Sequence, residues 1–156
     1  MKLHILAIGH KMPAWIDAGV HEYTRRMPAD MVVEMIELKP ERRAAGASTS
    51  RIQEREAERI RSALPLQALL VALDERGRQL TTVELAQYLA RWMQDGANPC
   101  FVIGGADGLG ASVRENADLL WGLSRLTLPH GLVRIMLAEQ LYRAVSLLKG
   151  HPYHRE

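Results

Sequence analysis

The residues able to do chemistry fall in two places. One is the end of the chain, where His151-Pro152-Tyr153-His154-Arg155-Glu156 follows Gly150 and gathers an aromatic ring, imidazoles and a guanidinium. Such groups stack on a base, hydrogen-bond its edge and hold a phosphate; the same residues also read as a frayed polar tail. Just upstream, Glu139 and Arg143 stand four residues apart and share a helix face, a spacing equally typical of an ordinary surface ion pair. The other place is three segments where an apolar run breaks into glycine, carboxylate or histidine. They are Leu73-Asp74 before Glu75-Arg76-Gly77-Arg78, Ile103 before Gly104-Gly105-Ala106-Asp107-Gly108, and Leu128 before Pro129-His130-Gly131. In an open parallel sheet ligands collect at the carboxyl ends of strands, and glycines there expose backbone N–H groups. The 104–108 loop is not G-x-G-x-x-G, because Ala106 interrupts it, and no Gly-Lys-Ser/Thr follows to make a P-loop. A tight turn accounts for it as well as a ligand does, and nothing favours a dinucleotide.

Other chemistries are thinly represented. The six histidines, at 4, 10, 21, 130, 151 and 154, make no H-E-x-x-H or similar ligand spacing, so no metal is expected. There is no G-x-S-x-G elbow. The single cysteine, Cys100, precedes Phe101-Val102-Ile103 and reads as an inert buried thiol. His21, on a helix, is expected to face solvent.

These segments must be held by alternating strands and helices. Leu3 to Ile8, Met31 to Leu38, Gln67 to Leu73 and Phe101 to Ile103 read as strands, with Arg125 to Leu128 as a short fifth. Helices are expected over Trp15–Arg26, Arg51–Leu64 after a Ser48-Thr49-Ser50 cap, Thr82–Met93, Ser112–Leu120 and about Leu132–Lys149, with Gly150 closing the last. Alternation of this kind implies an α/β fold with a mostly parallel sheet covered on both faces. The final helix is apolar over a wide arc, which implies burial on more than one side and hints at a dimer. The helix carrying Arg51, Arg55, Arg59 and Arg61 interleaves Glu54, Glu56 and Glu58; the alternation reads as a solvated, salt-bridged face.

Length and composition fit one domain, 1–156, with a core that needs no disulfide. One cysteine points to a reducing compartment, and the apolar run after Lys2 is too short for a secretory signal. A cytoplasmic location and no membrane segment are therefore expected. Formal net charge is only +2, so contact with nucleic acid must come from local basic clusters or from several copies together.

Motifs along the whole chain resemble one family. They are Met1-Lys2-Leu3, Ala7-Ile8-Gly9, Lys11-Met12-Pro13, Leu73-Asp74, Ile103-Gly104-Gly105 with Gly108-Leu109, and Leu126-Thr127-Leu128-Pro129-His130. Arg134, the run Ala138-Glu139-Gln140-Leu141-Tyr142-Arg143-Ala144 and the closing His151-Pro152-Tyr153-His154-Arg155-Glu156 complete the set. Together they look like the bacterial ribosomal RNA large subunit methyltransferase H family, which methylates N3 of a pseudouridine in 23S rRNA; Lys39 to Ser50 is the least matched stretch. The resemblance implies a SPOUT-class fold with a C-terminal trefoil knot, against the general scarcity of knots. It also implies a homodimer, S-adenosylmethionine as cofactor and the assembled 70S ribosome as substrate. The family's cofactor positions fall on Leu73, Gly104 and Leu123, Ser124, Arg125, Leu126, Thr127 and Leu128.

The implied chemistry sets the remaining requirements. A sulfonium methyl is already electrophilic, whereas N3–H lies between two carbonyls and must lose its proton, so the protein has to align the partners and stabilise an imide anion. Arg143, Arg155, His130, His154 and Tyr153 are the available donors. Tyr153 and His154 are assigned to the target base and Arg143 to its charge, with no single general base standing out. Rival readings are a non-catalytic RNA-binding protein, a nucleotide-using α/β protein built on the glycine loop, and a SPOUT methyltransferase with another target.

Overall fold

The computed structural model describes residues 1–153. Five strands form one sheet in the order β2-β1-β4-β3-β5, and every pairing between them is parallel. They are β1 (Leu3–Ile8), β2 (Val33–Leu38), β3 (Ala68–Gln79), β4 (Asn98–Ile103) and β5 (Leu119–Gly122). The helices are α1 (Ala14–Thr24), α2 (Thr49–Ala63), α3 (Thr82–Gln94), α4 (Ala111–Glu115) and α5 (His130–Lys149). Parallel strands need crossovers, and helices supply them on both faces.

Side-chain alternation along the strands builds two cores. Leu3, Ile5, Ala7, Val71, Phe101 and Ile103 point to the face covered by α1, α3 and α5. There Trp92, Phe101 and Trp121 meet edge-on, with centroids 6.2 and 6.1 Å apart. Leu6, Ile8, Leu70, Ala72, Cys100 and Val102 point to the other face, under Ala57 and Ile60 of α2 and Val113 of α4. On the first face α1 crosses α5 at two glycines, with Gly19 against Ile135 and Gly131 against Ile16.

Local capping follows the sequence. Ser48 Oγ accepts from the Arg51 N–H and starts α2, Thr81 and Glu84 form a reciprocal capping box on α3, and Gly150 ends α5 at φ +68°. Three expectations need correction. The helix expected to reach Leu120 stops at Glu115, because Asp118 joins the sheet instead: its N–H donates to Leu70 O (2.8 Å) and its carboxylate accepts from Leu70 N (2.7 Å). The fifth strand is therefore Leu119–Gly122, and 125–128 is a loop whose alternating Leu126 and Leu128 imitate a strand while Leu126 is 74% exposed. Finally, β3 continues past Leu73 to Gln79.

That continuation is irregular. Leu73 and Arg78 both pair with Trp121, so residues 74–77 leave the ladder and rejoin it. The excursion lies backbone against backbone on β5: a Cβ at Gly77 would come within 2.7 Å of Leu120 and Trp121 main-chain atoms. Glycine is required at this crossing for space.

The core assignment has a direct test. Leu141 is fully buried where α5 meets the sheet, and Leu141→Ala is expected to lower the unfolding free energy by about 2–5 kcal/mol. Val83→Ala, at a 41% exposed position on α3, should cost well under half of that; both are read from urea unfolding curves.

Candidate active site

The carboxyl ends of β3, β4 and β5 enclose a cavity of about 360 Å³, within the usual range for small-molecule sites. Its floor is apolar, formed by Leu73, Ile103, Leu109, Trp121, Leu123 and Val133. Its rim carries Asp74, Glu75 and Asp107 against one basic side chain, Arg76, together with Ser124, Thr127 and His130.

The glycine loop is both a turn and a wall. Gly108 N–H donates to Gly105 O (3.0 Å) and Gly108 sits at φ +74°, so the chain folds back immediately after β4. Any Cβ on Gly104 would meet the Gly108 carbonyl carbon at 2.7 Å. The bare backbone of Gly104 and Gly105 therefore faces the cavity. Opposite it, the 123–128 loop is shaped by Ser124 Oγ accepting from Leu126 N–H (3.0 Å). Thr127 Oγ1 donates to Glu75 Oε2 (3.0 Å), tying this loop to the 74–77 excursion across 52 residues of chain.

Behind the wall lies a buried cation. Arg134 is 1% exposed, and its Nη1 donates to Glu37 Oε2 (2.7 Å), its Nη2 to Gly9 O (3.0 Å) and its Nε to His130 Nε2 (2.8 Å). With Nε2 accepting, His130 carries its proton on Nδ1 and donates to Gly104 O at 2.7 Å. Burial first, and Arg134 second, push the His130 pKa below its ordinary 6.5. The neutral imidazole thus fixes the Gly104 carbonyl from behind.

A second polar group sits elsewhere on α5. Glu139 Oε1 accepts from Arg143 Nε (2.8 Å) and from the Tyr153 hydroxyl (3.1 Å), while Glu139 Oε2 accepts from Gln140 Nε2 (2.7 Å). The Arg143 guanidinium lies 4.9 Å from the Tyr153 ring centroid, and that ring packs 4.6 Å from Tyr142. Glu139 and Arg143 are thus a half-buried network that orders Tyr153, not an isolated surface pair. Burial and the bond to Glu139 push the Tyr153 hydroxyl up to about 12, so it donates.

The expected site residues divide between these places. Leu73, Gly104, Leu123, Ser124, Leu126, Thr127 and Leu128 line the cavity. Arg125 is exposed and does not. Arg143 and Tyr153 are together, but more than three helical turns beyond His130, about 20 Å along α5. His154 and Arg155 lie outside the described residues. Trp121, Val133 and Glu37 carry no chemical signal in the sequence and were missed, while Gly9 and Leu109 stood in the family motifs without a site role; the apolar positions look like any core residue. Cys100 is fully buried, with its thiol pushed up to about 12 by burial, as its apolar setting implied. His21 is exposed. Glu56, expected on a solvated face, is buried and accepts the Glu41 N–H at 3.0 Å; burial raises its pKa.

An open parallel sheet with a glycine-walled cavity at its carboxyl edge defines an α/β protein that binds a small molecule there. Comparison with known proteins sharpens this. The family described as "Predicted SPOUT methyltransferase" matches residues 1–154, and the chain belongs to it. Similar curated proteins include the ribosomal RNA large subunit methyltransferase H of Thiobacillus denitrificans, 57% identical with 100% of each chain covered. That of Burkholderia vietnamiensis is 56% identical over 99% of each. Among solved structures, a probable methylase family protein from Haemophilus influenzae superposes with a TM-score of 0.56 at 10% identity, covering 99% of this chain and 70% of the other. One from Neisseria gonorrhoeae gives 0.54 at 12%, covering 99% and 86%. These two share the fold.

The His130 geometry predicts a pH response. A histidine held below its ordinary pKa is neutral in the folded state and takes up its proton more readily when unfolded. Its contribution is full above about 6.5 and declines as pH falls from there toward the folded-state value. Wild-type unfolding free energy should therefore fall on acidification below about pH 6.5, and His130→Gln should flatten that slope. Nitrogen NMR should find the His130 ring neutral, with Nδ1 protonated, at pH 6.5.

Proposed function

We propose that this protein transfers a methyl group from S-adenosylmethionine to N3 of a pseudouridine in 23S rRNA on the assembled 70S ribosome, in the cytoplasm and as a homodimer. Membership of the SPOUT methyltransferases makes it a methyltransferase using that donor. Relatives named ribosomal RNA large subunit methyltransferase H along their full length direct it to ribosomal RNA. The observation carrying the reading is the cavity where three strand ends and the 123–128 loop converge. With Asp74 paired to Arg76 and Asp107 to Arg43, Glu75 leaves the rim with a net negative charge, which suits a sulfonium cation better than a polyphosphate. Its apolar floor suits a flat heterocycle, and Gly104 presents bare backbone to it. We assign Leu73, Gly104, Leu123, Ser124, Leu126, Thr127 and Leu128 to the cofactor, and give Arg125 no contact. The chain works as one domain, 1–156. The excursion of 74–77 across β5 favours a threaded, knotted C-terminal part.

Bound there, S-adenosylmethionine supplies a methyl carbon activated by its sulfonium. The residues of this chain would have to hold N3 facing that methyl group and give the N3 proton an acceptor. We assign Arg143 to the imide charge, with Glu139 holding one side of its guanidinium through Nε, while Nη1 has no acceptor among the described residues and is left to donate. Tyr153, ordered by the same carboxylate, offers a ring for the base; His154 is assigned beside it.

The separation of about 15 Å along α5 between Arg143 and Val133, the cavity-lining residue nearest to it on that helix, is the argument for two copies. One chain keeps its Arg143 and Tyr153 away from its own cavity, and we infer that a second copy supplies them there. The exposed apolar side chains of Trp15, Leu132 and Met136 on α1 and α5 provide area for that contact.

Two measurements test this. Labelled methyl should pass from S-adenosylmethionine to 70S ribosomes at a pseudouridine, and less to free 23S rRNA. Tyr153→Ala with His154→Ala should retain cofactor binding while transfer falls; undiminished transfer rejects their role. For the dimer, Ser124→Trp blocks the cavity and Arg143→Ala removes the stabiliser. Each alone should be inactive, and equal mixing followed by subunit exchange should restore about a quarter of wild-type activity. No recovery would place both in one chain's site.

A further inference from the structure

We propose that a second cavity on the same edge of the sheet holds backbone phosphates of the RNA substrate; the proposal rests on the ribosomal RNA reading above. The segment 39–48, joining β2 to α2, and the first turns of α2 enclose about 360 Å³. Three arginines line it, Arg42, Arg51 and Arg55. Its one acidic residue, Glu41, is already bound by Arg59. Neighbouring arginines are neutralised too, Arg43 by Asp107 and Arg61 by Glu54. Among the described residues no carboxylate pairs with Arg42, Arg51 or Arg55. Arg51 and Arg55 stand four apart on one helix face, an arrangement that is repulsive without an anion. Arg42 adds a third charge from the loop.

The lining chemistry selects the ligand. Guanidinium groups pair with phosphate through two hydrogen bonds. The rest of the wall, Ala44 to Ala47, contributes no carboxylate and nothing able to read a base edge. The start of α2, capped by Ser48, adds its positive end to the arginine field. Such a site positions a nucleic acid without specifying its sequence. It also answers the charge problem, since a chain of net charge +2 needs a concentrated basic patch.

Position ties this cavity to the first. Asp107 belongs to the wall of the methyl-donor cavity, its carboxylate is bound by Arg43, and its backbone oxygen accepts from Gln53 Nε2 on α2 at 2.7 Å. A strand of RNA anchored at Arg42, Arg51 and Arg55 is thereby held beside the glycine loop, where its target base must arrive.

The test uses the full-length enzyme and 70S ribosomes. Arg51→Glu with Arg55→Glu should raise KM for ribosomes about tenfold or more, and flatten the dependence of log affinity on log salt by about one for each phosphate no longer bound. The Kd of S-adenosylmethionine should not change. Arg55→Lys, which keeps the charge, should retain part of the affinity. Lys2→Gln, at the opposite edge of the sheet and paired with Glu34, should leave the ribosome KM and salt slope as they were. Unchanged KM and salt slope in the double variant overturn the proposal. Inorganic phosphate, titrated by NMR, separates the two sources of this chemistry: binding at Arg51 and Arg55 with no change in ribosome KM would mean a site for free phosphate and would also overturn it. Should the double variant not fold by circular dichroism, Arg42→Ala and Arg55→Gln take the same reading singly. If wild type binds ribosomes without methylating them, the target assignment fails, and filter binding of ribosomes to the variants still decides the phosphate site.

Discussion

A single buried cation organises the functional edge of this protein. Arg134 has almost no contact with water, and each part of its guanidinium is committed: to the Gly9 carbonyl after β1, to Glu37 on β2, and through His130 to the Gly104 carbonyl after β4. One side chain on the first turns of α5 thus ties together the ends of three strands. Only the cation is buried, since Glu37 stays largely exposed; the pair adds little strength by itself, and what matters is that each guanidinium nitrogen of the buried Arg134 finds an acceptor. The arrangement therefore defines a geometry more than it adds strength. Gly9 takes part by being bare, since a Cβ there would press on Arg134 at 3.1 Å.

The cavity wall depends on that anchoring. Gly104 lines the cavity while its carbonyl is turned away and satisfied, and the neutral His130 does this without adding charge to the wall. The other walls use backbone proximity: Gly77 and Gly122 let the 74–77 excursion lie on β5, and Thr127 pins the closing loop to Glu75. Reactive groups on the far part of α5 are organised by the same means, with Glu139 ordering Arg143 and Tyr153. The long helix carries both groups, His130 and Val133 at the cavity and the Glu139–Arg143–Tyr153 network farther along.

Charge is distributed to match. The cavity at the carboxyl ends of β3, β4 and β5 is rimmed mainly by carboxylates, while arginines with no carboxylate partner among the described residues gather across Asp107 in the 39–48 loop and α2. The alternation of Arg and Glu along α2 conceals this, because Glu56 turns inward and Glu41 and Glu54 neutralise other arginines.

Much of this was legible in the sequence. Periodicity marked β1, β2, β4 and four helices, since a core-facing stripe is a local property of the chain. Ser48 and Gly150 announced their caps for the same reason, whereas the cap at Thr81 came from the structure. The glycine loop and the 123–128 segment were visible as cavity candidates, the latter through family resemblance. Periodicity failed at 112–128, where Asp118 is drawn into the sheet by Leu70, a partner 48 residues away, and where the loop leucines alternate without pairing. By itself, then, the sequence determined the α/β class, the main elements, the inert Cys100 and the residues with chemistry to offer, because propensity, capping and burial pattern act over a few residues. Only the tertiary structure decided which of them meet. Arg134 reaches Gly9 across 125 residues, β3 adopts β5 around an excursion at Gly77, and the helix length separates Arg143 from the cavity. Contacts between distant parts of a chain are set by sheet order and helix crossing, and no local pattern encodes those.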